Sequence, residues 1–238
     1  MKVIKILNEI LTGLVEVFCM IALTLVGFFF YDTYMVNRDA LNTASGYRPY
    51  IDEQGRLSLS ELQALNPDVI GWITIDDTLI DYPILQNSDE ITYLNHDFLR
   101  NSSLSGSLYI DKNADRNFDN DYTIVYGHHI AGGVMLGSLD YFEDTDFFNE
   151  HLTGTLVATD QVYDVTVLAF ATTDAYNDLL YINNDFNSLN EALTDGSVNL
   201  EIGTQEQIDA YDKILIFSTC SSTGDSGRTL LITGLTER

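Results

Sequence analysis

Lys213-Ile-Leu-Ile-Phe-Ser-Thr-Cys220 (KILIFSTC) is the stretch around which the chain is organised. Lys213 leads into Ile214–Phe217, an apolar run without Gly or Pro. It reads as a short buried strand ending on Ser218, Thr219 and Cys220. The polar, turn-rich SSTGDSG (221–227) follows, then a second apolar run, Arg228 to Leu235 (RTLLITGL). The simplest arrangement is a hairpin whose loop runs from Ser221 to Gly227, with Cys220 and Arg228 facing each other. A thiol at a strand end beside a guanidinium is a chemical arrangement, because a fixed cation stabilises nearby negative charge.

The 238 residues suit one sizeable domain with an appendage. The net charge is −25, with 36 acidic residues to 11 basic. Residues 1–31 hold Lys2, Lys5, Glu9 and Glu16 and sum to zero, so the whole excess lies after them. That balance argues against a nucleic-acid partner, which needs a basic surface. It suits a soluble exterior domain. Of the two cysteines, Cys19 lies in the apolar N-terminal run. Cys220 is therefore the lone thiol of the remaining chain, and no disulfide can form there.

Residues 10–31, ILTGLVEVFCMIALTLVGFFFY, are almost wholly apolar, and about 20 such residues span a bilayer as a helix. No small-residue cleavage site follows; Phe28, Phe29, Phe30 and Tyr31 form an aromatic belt instead. We expect an uncleaved anchor at 10–31 with a cytoplasmic tail at 1–9. Lys2 and Lys5 place that side inside and the rest outside, in a single pass. Residues 32–57 read as a polar linker, helical at first and then extended, carrying Gly46, Pro49 and Gly55. The domain proper is expected at 58–238. It opens with a short helix capped by Ser58 or Ser60 and ended by Asn66-Pro67.

Strands are expected at Gly71–Ile75, Leu79–Leu85, Ser107–Asp111, Thr123–Gly127, Gly154–Ala158, Gln161–Phe170 and Ser197–Ile202. Helices are expected around Met135–Phe142 and near Phe186–Thr194, with a short turn or helix at Phe147–Asn149. The whole reads as mostly β with short helices, a barrel or a sandwich. His128 ends one strand, Cys220 ends another, and Arg228 begins its hairpin partner. Such ends could gather at one rim. Cys can attack a carbonyl, His can protonate the leaving amine, and Arg can steady the oxyanion. The competing readings are a buried thiol for Cys220 and a surface ion pair for Arg228.

These residues resemble the sortases, class B most closely. The cysteine strand end stands as Phe217-Ser218-Thr219-Cys220, the family histidine as Tyr126-Gly127-His128, and the family arginine as Arg228. NPDVIGWITIDDTLIDYPILQ (66–86), YLNHDF (93–98), GSLYID (106–111) and YGHH (126–129) carry the class B character. The similarity covers roughly residues 58–235. It implies a closed eight-stranded β-barrel with N-terminal helices and a helix-containing insertion at 171–196 that walls the groove.

It also implies a membrane-anchored cysteine transpeptidase without a cofactor. Such an enzyme cleaves a C-terminal sorting motif of secreted proteins or pilins after Thr. The acyl group then passes to an amine, a pilin lysine or a cell-wall cross-bridge. By the same resemblance Cys220 is the nucleophile, His128 the acid–base and Arg228 the oxyanion partner. Substrate contacts fall on Leu94, Tyr126, Tyr181, Ile182, Ser218 and Ser221. Ser221 stands where some members carry an acid. His129, His96 and His151 are read as neighbours or packing residues. A thiol hydrolase, or a catalytically idle surface-binding domain, is the alternative. Asp111 to Asp119 alternates Asp and Asn like a calcium loop, but Arg116 and Tyr122 stand where Gly and Glu belong. There is no C-x-x-C or H-E-x-x-H, and no metal is expected.

Overall fold

The computed structural model describes residues 2–45, 59–89, 91–182, 185–221 and 226–238. The chain divides into two compact units, residues 1–38 and 39–238. Helix α1 (Lys2–Ser45) is unbroken and outruns the expected 10–31 span at both ends. The reason is local: from Asp32 to Ser45 no Gly or Pro interrupts, and Gly46 is the first breaker. The rest of the expected linker, with Pro49 and Gly55, lies outside the described residues.

Helix α2 (Ser60–Leu65) is short. Of the two expected caps, Ser60 is already helical, and Ser58 lies outside the described residues. Leu59 holds the N-cap position without a side-chain bond, anchored by burial instead. There follow β1 (Val69–Ile75), β2 (Asp81–Leu85), β3 (Leu108–Ile110), β4 (Tyr122–Tyr126), β5 (His129–Ile130) and β6 (Val134–Met135). Next come α3 (Thr145–Glu150), β7 (Thr153–Ala158), β8 (Val162–Asp174), α4 (Asp178–Tyr181) and α5 (Phe186–Thr194). The chain ends with β9 (Val198–Ile202), α6 (Gln205–Asp209), β10 (Ile214–Cys220) and β11 (Gly227–Glu237).

Eight strands close in the order β1-β2-β3-β4-β10-β11-β8-β7, with β9 added along the far half of β8. The β2–β3 and β4–β10 pairs are parallel; the other neighbours are antiparallel. This is the expected mostly-β barrel with short helices, extended by one strand. Side chains from all eight strands fill its interior, among them Ile73, Val125, Leu156, Leu215, Phe217 and Leu231.

A second cluster lies on the opposite face. It joins Tyr122, Ile124, Ile214, Ile216, Leu230 and Ile232 to Leu180, Leu189 and Ile208 of α4, α5 and α6. So β10 is buried on both faces, which is why Ile214–Phe217 reads as a continuous apolar run rather than an alternating one. Two expectations need correcting. Met135–Phe142 is not an α-helix. Met135 belongs to β6, and Leu136–Glu143 is a 3-10 segment. A period of three puts Leu136, Leu139 and Phe142, all fully buried, on one face. The insertion begins at Ala175, not at 171, because β8 runs on to Asp174, pairing with β11 and β9. The small elements α4, α6, β5 and β6 are additional to those expected.

Candidate active site

Strand register bears on the residues expected to be reactive. In the parallel β4–β10 pair, Tyr126 lies across from Ser218. Two residues further on, the strands release His128 and Cys220 at the same rim. In the antiparallel β10–β11 pair, Cys220 lies across from Arg228, as the hairpin reading expected. Neighbouring strands run about 4.8 Å apart, so Cys220 stands one strand spacing from Arg228, while His128 follows the end of β4 on the other side of β10.

Period two then fixes the face. Ile214 and Ile216 belong to the outer cluster, so Ser218 and Cys220 point the same way. Leu230 and Ile232 do the same for Arg228, and Tyr122, Ile124 and Tyr126 for β4. The thiol therefore opens on the outer face, where the insertion packs, and not into the barrel; Cys220 is exposed there.

Three bonds hold the rim. The Thr219 hydroxyl donates to the Gly127 carbonyl at 2.8 Å, tying the cysteine strand to the histidine segment. The Leu136 amide donates to the His128 carbonyl at 3.1 Å. The His128 Nε2–H donates to the Leu94 carbonyl at 2.7 Å. Gly127 is required by close approach, since a Cβ there would stand 2.4 Å from a Leu108 methyl. Thr219→Val removes one of these bonds. It is expected to cost about 1 kcal/mol of stability and to slow turnover several-fold, while Thr219→Ser restores both. Thermal melts and initial rates on the three proteins check this.

A tyrosine ladder lines the approach. Tyr109 stacks on Tyr126 with centroids 5.5 Å apart, and Tyr126 sits 6.3 Å from Tyr181. The Tyr181 and Ser218 hydroxyls share a hydrogen bond of 2.9 Å. Burial pushes the Tyr181 phenol up; the Ser218 bond and the Arg228 charge act against that. Burial likewise keeps Tyr126 protonated.

Helix α4, which carries Tyr181, is fastened at both ends. Asn177 caps it, accepting from the Leu180 amide, and donates to the Thr173 hydroxyl and the Ser197 carbonyl. The Tyr122 hydroxyl donates to the Leu180 carbonyl at 2.7 Å. The foot of the cysteine loop is clamped as well. Ser226 donates to Asp174 at 2.6 Å and accepts from the Ala175 amide at 2.7 Å. The Ser226 bond, the Tyr176 amide and nearby Arg228 hold the Asp174 carboxyl below its usual range.

Of the other expected contacts, Leu94 ends a 3-10 turn, Thr92–Leu94, with its side chain partly exposed. Ser218 is buried in β10, and Ile182 follows α4 with its side chain in solvent. Ser221 donates its amide to the Gly227 carbonyl; residues 222–225 of the expected loop lie outside the described residues. His129 stands apart from the rim chemistry, donating Nε2–H to Asp140 at 2.7 Å. Tyr109, Thr219, Asn177 and Asp174 are additional site-building residues. Tyr109 and Thr219 lie within the motifs quoted from the sequence, and Asn177, a cap residue two positions before the apolar Leu179–Ile182 run, also left a sequence signal. The alternating Asp111–Asp119 segment spends its carboxylates on local turns, with Asp111 and Asp115 accepting amides and Asp119 pairing with Lys213. Among the described residues, no three His, Cys, Asp or Glu side chains group to hold a metal ion.

This arrangement has relatives. The chain is 31% identical over 200 residues to Sortase B of Listeria monocytogenes, covering 81% of this chain and 79% of that protein. The chain belongs to the sortase B family. No family model matches it. Its fold matches the crystal structure of sortase B from B. anthracis, with TM-score 0.68 and 27% identity over 88% of this chain and 98% of that one. It also matches a Streptococcus pyogenes class B sortase involved in pilus biogenesis, with TM-score 0.62 and 30% identity over 74% of this chain and 96% of that one. This sortase is a cysteine transpeptidase, and its barrel with insertion is the sortase fold.

Proposed function

We propose that this sortase uses Cys220 as nucleophile, His128 as acid–base and Arg228 as oxyanion partner. The observation that carries the assignment is the register of β4, β10 and β11. Cys220 lies across from Arg228, and Tyr126, two residues before His128, lies across from Ser218, which supports the assignment. The Cys220 sulfur attacks the carbonyl carbon of a threonine in a C-terminal sorting motif. Negative charge on the carbonyl oxygen falls beside the Arg228 guanidinium. As the C–N bond breaks, His128 protonates the departing amine and leaves a thioester. An incoming amine then attacks the thioester, His128 takes its proton, and Cys220 is released as thiol.

The groove is the face between Leu94, the tyrosine ladder and α4, with Ile182, Ser218 and Ser221 at its edges. The substrate is a secreted protein or pilin. The acceptor is a pilin lysine, a reading supported by the likeness to the S. pyogenes sortase involved in pilus biogenesis. A cell-wall cross-bridge amine would follow the same chemistry. The apolar helix within Lys2–Arg38 is long enough to cross a membrane. We read it as a single-pass anchor, with the Lys2 and Lys5 side cytoplasmic and the barrel outside.

Mass spectrometry of the full chain in detergent micelles, given a panel of sorting-motif peptides, tests this. The expected result is a thioester adduct on Cys220, absent from Cys220→Ala, that becomes an amide when amine is added. Lysine-bearing pilin fragments should resolve it faster than cross-bridge peptides; the reverse order overturns the pilin assignment. Hydrolysis unaffected by any amine would instead mark a thiol hydrolase acting on the motif.

A further inference from the structure

We propose that the main-chain carbonyl of Leu94, seated by Gly106, is the group that orients His128 and selects its tautomer. The inference rests on His128 being the acid–base. A carbonyl oxygen can only accept, so the 2.7 Å bond to Leu94 requires the proton of the neutral ring to sit on Nε2. The one remaining lone pair is then on Nδ1. That nitrogen takes the proton when the S–H bond of Cys220 breaks. The sulfur makes its C–S bond in that first transfer, and Nδ1 returns the proton to the leaving amine when the tetrahedral adduct collapses and the C–N bond breaks. Nε2–H stays on Leu94 throughout, and the carbonyl dipole favours the imidazolium that forms between the two transfers. The Leu94 carbonyl thus does for this histidine what a buried carboxylate does in a serine-protease triad.

The carbonyl is built into place. Tyr93 is fully buried, accepting from Asn66 at 2.8 Å and donating to Asp68 at 2.7 Å. The Ser107 amide donates to the Tyr93 carbonyl and the Ser103 amide to the Asn95 carbonyl, both at 2.9 Å. Gly106, at φ +58°, lies directly against the turn. A Cβ there would stand 2.5 Å from the Tyr93 oxygen and 2.8 Å from the Leu94 oxygen. A side chain at 106 forces this backbone to shift, and the Leu94 acceptor is one of the two atoms it strikes. Because Leu94 also faces the proposed groove, the same turn that meets the substrate sets the histidine.

The chain's four histidines make the test internally controlled. His96 bonds the Thr92 carbonyl at 3.0 Å and His151 the Phe147 carbonyl at 2.7 Å, each through Nδ1. His129 donates through Nε2 to Asp140. Long-range nitrogen–proton NMR on the full chain in micelles, labelled at histidine nitrogens, reads each tautomer. It is run at about pH 9, above the ordinary imidazole range. Single His→Gln variants assign the signals.

The expected result is Nε2–H for His128 and Nδ1–H for His96 and His151. An Nδ1–H form or an even mixture at His128 overturns the proposal. Leu94→Ala, which keeps the carbonyl, should keep the signature. Gly106→Ala should lose it and lower kcat/KM on the order of 100-fold, the scale of a misplacement of about 1 Å. A folded Gly106→Ala protein with full activity and the Nε2–H form also overturns it. If that variant does not fold, the spectrum of the unsubstituted chain decides. Activity of His128→Ala is read separately. Retained turnover would remove His128 from the chemistry without touching the tautomer result.

Discussion

Cys220→Ala is expected to lower transpeptidation by at least about 10⁴-fold, the scale seen when a covalent nucleophile is removed from a working triad, and to leave the barrel intact. The thiol is exposed on the outer face, so its loss opens no cavity and removes no buried contact. What disappears is the covalent route; the groove and Arg228 remain and still bind peptide. Arg228→Ala should fall by about 10²–10³, the usual cost of one anion-stabilising donor. The thioester should still form, slowly. Arg228→Lys should recover only part of that, because an ammonium is a point charge without the guanidinium's fork. Rates of thioester formation and of amine resolution, measured separately with melting curves for each variant, check all three. A Cys220→Ala protein that still joined peptide to amine would remove the covalent mechanism.

Phe217→Ala is expected to be the most destabilising single change near the site, by about 3–5 kcal/mol. Phe217 is fully buried in the barrel interior, three residues before Cys220. Its strand is paired on both sides, parallel to β4 and antiparallel to β11. The surrounding strands cannot collapse into the vacated volume without breaking those ladders. For a domain of this size such a loss corresponds to a fall in Tm of roughly 6–20 °C. Scanning calorimetry checks it. Phe217→Leu, which keeps most of the volume, should cost less than half as much. Equal losses for the two would mean that the aromatic contact, not the volume, carries the energy.

Much of this molecule was legible one residue at a time. Helix α5 begins and ends where the pattern of Phe186–Thr194 says. Cys220 meets Arg228 as the hairpin reading requires. These are local facts, set by apolar runs, turn formers and strand pairing across a short loop. The elements that escaped are those whose pattern is ambiguous or too short. Leu136, Leu139 and Phe142 fit an α-helix nearly as well as a 3-10 segment, and the barrel wall chose the tighter spacing. Helix α6 is one turn long, marked only by its capping box from Thr204 to Gln207.

The sequence alone therefore determined most of the strands and the facing of Cys220 and Arg228, because each is written in neighbouring residues. Which face Cys220 and Arg228 share was decided by the tertiary structure. A strand buried on both sides has no polar alternation to mark an outside, so only barrel closure and the packing of α4, α5 and α6 distinguish Ile214 and Ile216 from Leu215 and Phe217. The meeting of His128 with the Leu94 carbonyl, and of Thr219 with Gly127, likewise joins residues 34 and 92 positions apart. No local pattern encodes such pairs; the closed barrel brings them together.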